Sequence, residues 1–112
     1  MNFKKVMRSG VPTLVLESEK DVHGFLLLDV RRPEEYSGEL GHIENSQLVT
    51  LGDDLIQFLN AADKEKPILF ICRSGARSAN ATMYALDLGF KEVYNMEGGM
   101  IHWNELNFPV KF

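Results

Sequence analysis

The sequence predicts an α/β fold built on a mostly parallel sheet with helices on both faces. Two observations predict it. Strand-like and helix-like patterns alternate along the chain, as parallel strands joined by crossover helices require. Two strand candidates are apolar enough to be buried on both faces: Phe25-Leu26-Leu27-Leu28, which runs into Asp29-Val30, and Pro67-Ile68-Leu69-Phe70-Ile71. Right-handed crossovers then distribute the helices to the two sides of the sheet. The 112 residues are read as one domain over 1–112, since two cores do not fit comfortably at this length.

Each element has its own local cause. Thr13–Leu16 reads as a first strand and Phe25–Val30 as the second. Pro33 followed by Glu34 and Glu35 predicts a short helix start, with proline at the first helical position and acids in the first turn. Gln47–Thr50 is a weak strand. Leu51, Leu55, Phe58, Leu59 and Ala62 recur at helical spacing, and Asp53-Asp54 sit where a helix N-terminus favours negative charge. Pro67 blocks continuation of the preceding segment and opens the clearest strand. Ala79, Met83 and Leu86 mark a helix that Gly89 terminates. Glu92–Met96 is a further strand. Gly98-Gly99 turns into a last helix through Ile101, Trp103 and Leu106, stopped near Pro109. This gives about five strands and four helices. Met1 to Gly10 show no such pattern and read as a frayed terminus.

Composition excludes several classes of function. A 45% apolar share with 25% charged residues is that of a globular protein rather than a disordered one. The formal charge of −4 argues against nucleic acid as a partner, because phosphate binding needs a basic face. The single cysteine excludes an internal disulfide, a Cys-x-x-Cys redox pair and a multi-cysteine metal site within one chain. His23 and His102 have no partners at ligand spacing, so no metal is expected. No stretch approaches the roughly 20 apolar residues that span a bilayer, and no secretory leader is visible. A cytoplasmic location follows as the expectation.

Cys72-Arg73-Ser74-Gly75-Ala76-Arg77-Ser78 carries the chemistry. It leaves the C-terminal end of a buried strand and enters a helix, the sheet edge where ligands of open α/β folds bind. Free N–H groups at a helix start, turned inward by a tight loop, stabilise negative charge, and Gly75 permits the backbone angles such a loop needs. Arg73 and Arg77 add two permanent cations. Both effects favour thiolate over thiol at Cys72. The same groups suit an anionic substrate, because arginine donors form a fork that fits oxyanions. The competing reading is a buried structural cysteine, the commonest fate of a free thiol.

The loop resembles the active-site loop of the rhodanese family of sulfurtransferases. Three further landmarks occur in the same order: Asp29-Val30-Arg31 with Pro33-Glu34-Glu35-Tyr36, then Gly41-His42-Ile43, and finally Gly98-Gly99 with Trp103. Together they cover about residues 25–105. The resemblance implies a rhodanese-like three-layer fold with a five-stranded parallel sheet. It implies that Cys72 accepts a sulfane sulfur from a small anionic donor such as thiosulfate and becomes a persulfide. It also implies that backbone groups of Arg73, Ser74, Gly75, Ala76 and Arg77 cradle that sulfur. A cyanide, thiol or protein acceptor would then remove it in a ping-pong cycle, and no metal or organic cofactor is needed. Phosphatases and arsenate reductases of similar fold place five residues between cysteine and arginine. Here Arg77 follows after four and Ser78 stands next, a loop that fits a sulfur atom better than a phosphoryl group. The chain departs from the family pattern at Glu44–Thr50.

The remaining polar residues read as structural. Asp29 fixes its connection, Arg31 and Glu35 form an ion pair, and His42 is not a general base, because a stabilised thiolate needs none. Trp103 and Phe108 pack, and Met96 and Met100 fill gaps near the double glycine. Two alternatives to a thiosulfate-type sulfurtransferase stay open: a sulfur carrier passing its persulfide to a protein, and a regulatory module with an idle or oxidant-sensing cysteine.

Overall fold

The computed structural model describes residues 4–112. Six strands form one sheet: β1 (Lys4–Arg8), β2 (Val11–Val15), β3 (Leu26–Asp29), β4 (Gln47–Leu48), β5 (Ile68–Ile71) and β6 (Val93–Met96), in the order β1-β2-β6-β5-β3-β4. All neighbours run parallel except β1 and β2. Four helices connect or close them: α1 (Pro33–Tyr36), α2 (Asp53–Ala61), α3 (Ala76–Asp87) and α4 (Gly99–Glu105). A short 3-10 turn, Glu19–Val22, precedes β3 and carries no apolar periodicity that would announce it.

The uninterrupted apolar character of β5 has a direct consequence. Ile68, Phe70 and Cys72 enter one core with Leu55 and Leu59 of α2 and Ala81 and Ala85 of α3. Leu69 and Ile71 enter a second core with Met96, Met100 and Trp103. Alternating side chains therefore feed both faces of the central strand, and helices cover both, as the three-layer reading requires.

Three expectations need correction. The sheet has six strands, not five, because residues 4–8 are not frayed: they pair antiparallel with β2 across a tight turn at Ser9 (φ 52°) and Gly10 (φ 81°). Positive φ at both central residues is the turn that matches strand twist. Met1–Asn2–Phe3 lie outside the described residues. Second, α3 does not bury Met83, which is exposed; its inner face is Ser78, Ala81, Thr82 and Ala85. Small residues let this helix lie close to the sheet. Third, Leu51 precedes α2 and is exposed.

Candidate active site

The site is built where β5 ends. Cys72 follows Ile71 directly, and α3 begins at Ala76, so residues 72–75 make the whole turn from strand to helix. Gly75 caps α3 with φ 106°, ψ −10°, a left-handed conformation that a side chain disfavours. The Gly75 N–H donates to Cys72 Sγ at 3.0 Å, and Ser78 Oγ lies 3.2 Å from the same sulfur. The sulfur is held from two sides within its own loop and helix, and Cys72 is 1% exposed.

The loop is clamped from outside by the start of α4. The Met100 N–H donates to the Cys72 carbonyl at 2.8 Å and the Ile101 N–H to the Arg73 carbonyl at 3.0 Å. This approach explains the double glycine. A Cβ on Gly99 would lie 2.5 Å from the Arg73 carbonyl oxygen and 2.6 Å from that of Cys72, and one on Gly98 would meet His102. No larger residue fits while the two loops remain joined.

Arg73, Ser74 and Ala76 are exposed at the mouth, and Arg77 is half-buried. Among the described residues the Arg73 guanidinium has no carboxylate partner. Arg77 is different. Its Nη1 and Nη2 donate to the two oxygens of Glu35 at 2.7 and 2.8 Å. That bond, aided by the Arg32 backbone N–H and opposed by partial burial, brings the Glu35 carboxyl down to about 2 from 4.5. Arg77 is raised in turn, by its hydrogen bonds to Glu35 first, against the opposing effect of burial.

The Glu35 partner is a correction. The chain does not form an Arg31–Glu35 pair. Arg31 instead turns inward to Asp29, with Nε donating to Oδ1 at 2.9 Å and Nη2 to Oδ2 at 2.8 Å, and to the Gly41 carbonyl at 2.7 Å. Both side chains are fully buried. Glu35, on α1, spans 42 positions to reach Arg77 and ties the first helix to the first turn of α3.

A test follows for that tie. Glu35 is stronger as an acid in the folded state, so the tie stabilises above about pH 4.5 and its contribution is lost as pH falls toward 2. Glu35→Gln is expected to lower unfolding free energy at pH 7 by about 1–2 kcal/mol, discounted because Arg77 is a third exposed. Urea titrations at stepped pH should show wild type and variant converging below pH 4.5.

Two groups at the site had no assigned role in the sequence reading. Ser78 touches the sulfur, and Asn95 of β6 bridges to both Ser78 Oγ and the Gly75 carbonyl. The one available signal was Asn95 itself, a polar residue inside an apolar strand. Elsewhere the structural readings hold: His42 stacks on Tyr36 and bonds its carbonyl, and Trp103 is buried against Phe108 with its indole N–H on the Pro109 carbonyl. Met96 and Met100 are core residues. Among the described residues no cluster of three or more His, Cys, Asp or Glu is placed to hold a metal, and no helix is long and apolar enough to cross a membrane.

A larger cavity, about 530 Å³, lies at the opposite end of the sheet beside Phe25, Ile43, Trp103 and Val110. No cysteine, serine or threonine lines it, so this cavity and Cys72 are separate. Near the loop the space is smaller, about 220 Å³ between Arg31, Glu35, Leu40 and Arg73.

The chain is similar to several known proteins. The thiosulfate sulfurtransferase GlpE of Vibrio cholerae is 32% identical over 93 residues, covering 83% of this chain and 82% of that one. GlpE of Pseudoalteromonas translucida is also 32% identical, over 92% of this chain and 90% of its own. Among solved structures, a rhodanese-related protein of Thermoplasma volcanium superposes with a TM-score of 0.71 at 30% identity, covering 82% and 88% of the two chains. A Rhodopseudomonas palustris protein described as a possible tyrosine phosphatase superposes at 0.80 with 28% identity, covering 92% and 86%. The sequence pattern of the rhodanese-like domain matches residues 14–106, from within β2 to the residue after α4, and this chain belongs to that family.

Proposed function

We propose that the protein is a sulfurtransferase that carries a sulfane sulfur on Cys72, with thiosulfate as its donor. The observation that carries this reading is the cysteine at the floor of a strand-to-helix loop, its Sγ met by the Gly75 N–H and the Ser78 hydroxyl. Sulfurtransferase chemistry at the family level is shared with the GlpE relatives. The donor is this chain's own question.

In the proposed cycle the Cys72 thiolate attacks the outer sulfur of thiosulfate. An S–S bond forms at Sγ, the donor's S–S bond breaks, and sulfite leaves with the electron pair. Cyanide or a thiolate then attacks the outer sulfur of the persulfide and releases Cys72 as thiolate. The backbone of Arg73, Ser74, Gly75, Ala76 and Arg77 surrounds the terminal sulfur during that interval. Because Cys72 is so little exposed, transfer requires the loop to open at its exposed residues Arg73, Ser74 and Ala76.

The two arginines divide their duties. Arg77 is paired bidentately with Glu35 and fixes the loop, whereas Arg73 is uncommitted at the mouth and meets the donor's sulfonate. Arg73→Ala is therefore expected to raise KM for thiosulfate roughly tenfold, the value of one charge-assisted hydrogen bond, with a smaller change in kcat. Initial rates with thiosulfate and cyanide varied together test the whole reading. Parallel double-reciprocal lines support the two-step cycle. A protein that forms the persulfide but does not turn over with small acceptors would be a carrier. One that forms none would be a regulatory module. Phosphoryl transfer is disfavoured by the loop itself, in which only four residues separate Cys72 from Arg77.

A further inference from the structure

We infer that Asn95 restrains the Cys72 thiolate by competing for the single hydroxyl proton of Ser78. Three contacts carry the inference. Ser78 Oγ is within hydrogen-bond reach of Cys72 Sγ and of Asn95 Oδ1. Asn95 Nδ2 donates to the Gly75 carbonyl at 3.1 Å. That last bond fixes the orientation of the amide, because only the NH₂ can donate to a carbonyl. Oδ1 is then obliged to face Ser78. Both Ser78 and Asn95 are buried, so water does not readily substitute.

A hydroxyl has one proton to give. When Cys72 is a thiol, every group is satisfied: S–H donates to Ser78 Oγ, and Ser78 O–H donates to Asn95 Oδ1. When the thiol loses its proton to solvent, the sulfur becomes an acceptor only. Ser78 must then either turn its proton to the sulfur, stranding Asn95 Oδ1, or keep it on Asn95 and leave the sulfur with the Gly75 N–H alone. The first arrangement leaves a buried acceptor unpaired and the second leaves the charged sulfur one donor short, and both are costly. Asn95 therefore favours the thiol and Ser78 favours the thiolate, although they sit in one network. Ser78 contacts the reacting atom; Asn95 acts through it and is a positioning residue.

The charged groups around the sulfur are not part of this contest. They are Arg77, paired with Glu35 of α1; Asp29 of β3, paired with Arg31; and Arg73 in the loop. His102 and Glu105 of α4 pair with each other beyond Ser74. None of the variants below removes any of them.

The test is the pH–rate profile of iodoacetamide alkylation, in which the thiolate forms an S–C bond as iodide leaves; the single cysteine makes the signal unambiguous. Asn95→Leu should move the midpoint to lower pH and alkylate about tenfold faster than wild type on the acid side of the profile. Ser78→Ala should move the midpoint the other way. In the Ser78→Ala background, Asn95→Leu should have no further effect, because its route to the sulfur is gone. Asn95→Val replaces Asn95→Leu should the latter not fold, as judged by circular dichroism. Midpoints that move in the same direction for both single variants, or an Asn95→Leu effect that persists without the Ser78 hydroxyl, would overturn the inference in favour of simple loosening of the Gly75 turn. This account rests on the reactive-cysteine reading, but alkylation reads the thiol directly. A protein that accepts no sulfur from thiosulfate, polysulfide or persulfide donors but still shows the opposed shifts would sink the sulfurtransferase proposal and keep this one.

Discussion

Cys72→Ser is expected to abolish sulfur transfer, by at least about a thousandfold, with the fold intact. Serine keeps the size and the hydrogen bonds: its oxygen can accept from the Gly75 N–H and reach the Ser78 hydroxyl as Sγ does. It cannot supply what the reaction needs, because an alcohol is scarcely ionised at neutral pH and forms no stable bond to a transferred sulfur. The side chain belongs to the α2–α3 core but is small and lies at its edge, so stability should change by less than about 1 kcal/mol. The measurement is paired: initial rates with thiosulfate and cyanide, and urea unfolding of both proteins. Activity retained in the serine variant would move the chemistry elsewhere in the chain.

The second large effect lies beneath the site. Arg31→Leu should destabilise the protein by about 3–5 kcal/mol, because it strands the Asp29 carboxylate in a fully buried position. For a chain of this size that corresponds to a fall of roughly 10–20 °C in Tm. Arg31 also donates to the Gly41 carbonyl, so the connection that leads to Ile43 and β4 should loosen with it. The double variant Asp29→Leu/Arg31→Leu should recover much of the loss, since removing both charges removes the uncompensated one. Thermal unfolding of the single and double variants at one pH checks this. A double variant no more stable than Arg31→Leu would mean that the Gly41 contact, rather than the ion pair, dominates.

Legibility in the sequence followed the range of the interactions involved. β5 and α2 were readable because their causes are local: a β-period-free apolar run opened by proline, and leucines at helical spacing after two aspartates. The Cys72 loop was readable for the same reason, since cysteine, glycine and helix start lie within a few residues. What escaped is non-local. Nothing near Glu35 in the chain indicates that it bonds Arg77 rather than Arg31, because the partner arrives only when α1 and α3 are brought to the same sheet edge. Arg31 was read as the partner of Glu35 and is instead one of the largest buried side chains, a placement made tolerable by Asp29 two residues earlier and by the Gly41 carbonyl. β1 was missed because its residues are mostly charged and exposed. The Ser9-Gly10 turn was its only marker, and it was read as part of a loose end. Met83 helped to mark α3 but lies off its inner face, where the close approach to β5 and β6 selected small residues.

These misses share a consequence for function. The sequence pattern singled out Cys72, the nucleophile of the proposed cycle, and the fold supplied its neighbours: the Glu35 clamp on Arg77, the α4 amides on the loop carbonyls and the Ser78–Asn95 pair. The loop is thus held by α1, β6 and α4 together, each contributing contacts from a different part of the chain.

The central claim is that Cys72 accepts a sulfur. Its most direct test is the intact mass of the protein after thiosulfate treatment, beside Cys72→Ser. The account predicts a gain of about 32 Da on wild type alone, removed by cyanide; sulfinic acid has nearly the same mass but survives cyanide. No cyanide-labile gain with thiosulfate, nor with polysulfide or persulfide donors, would contradict it.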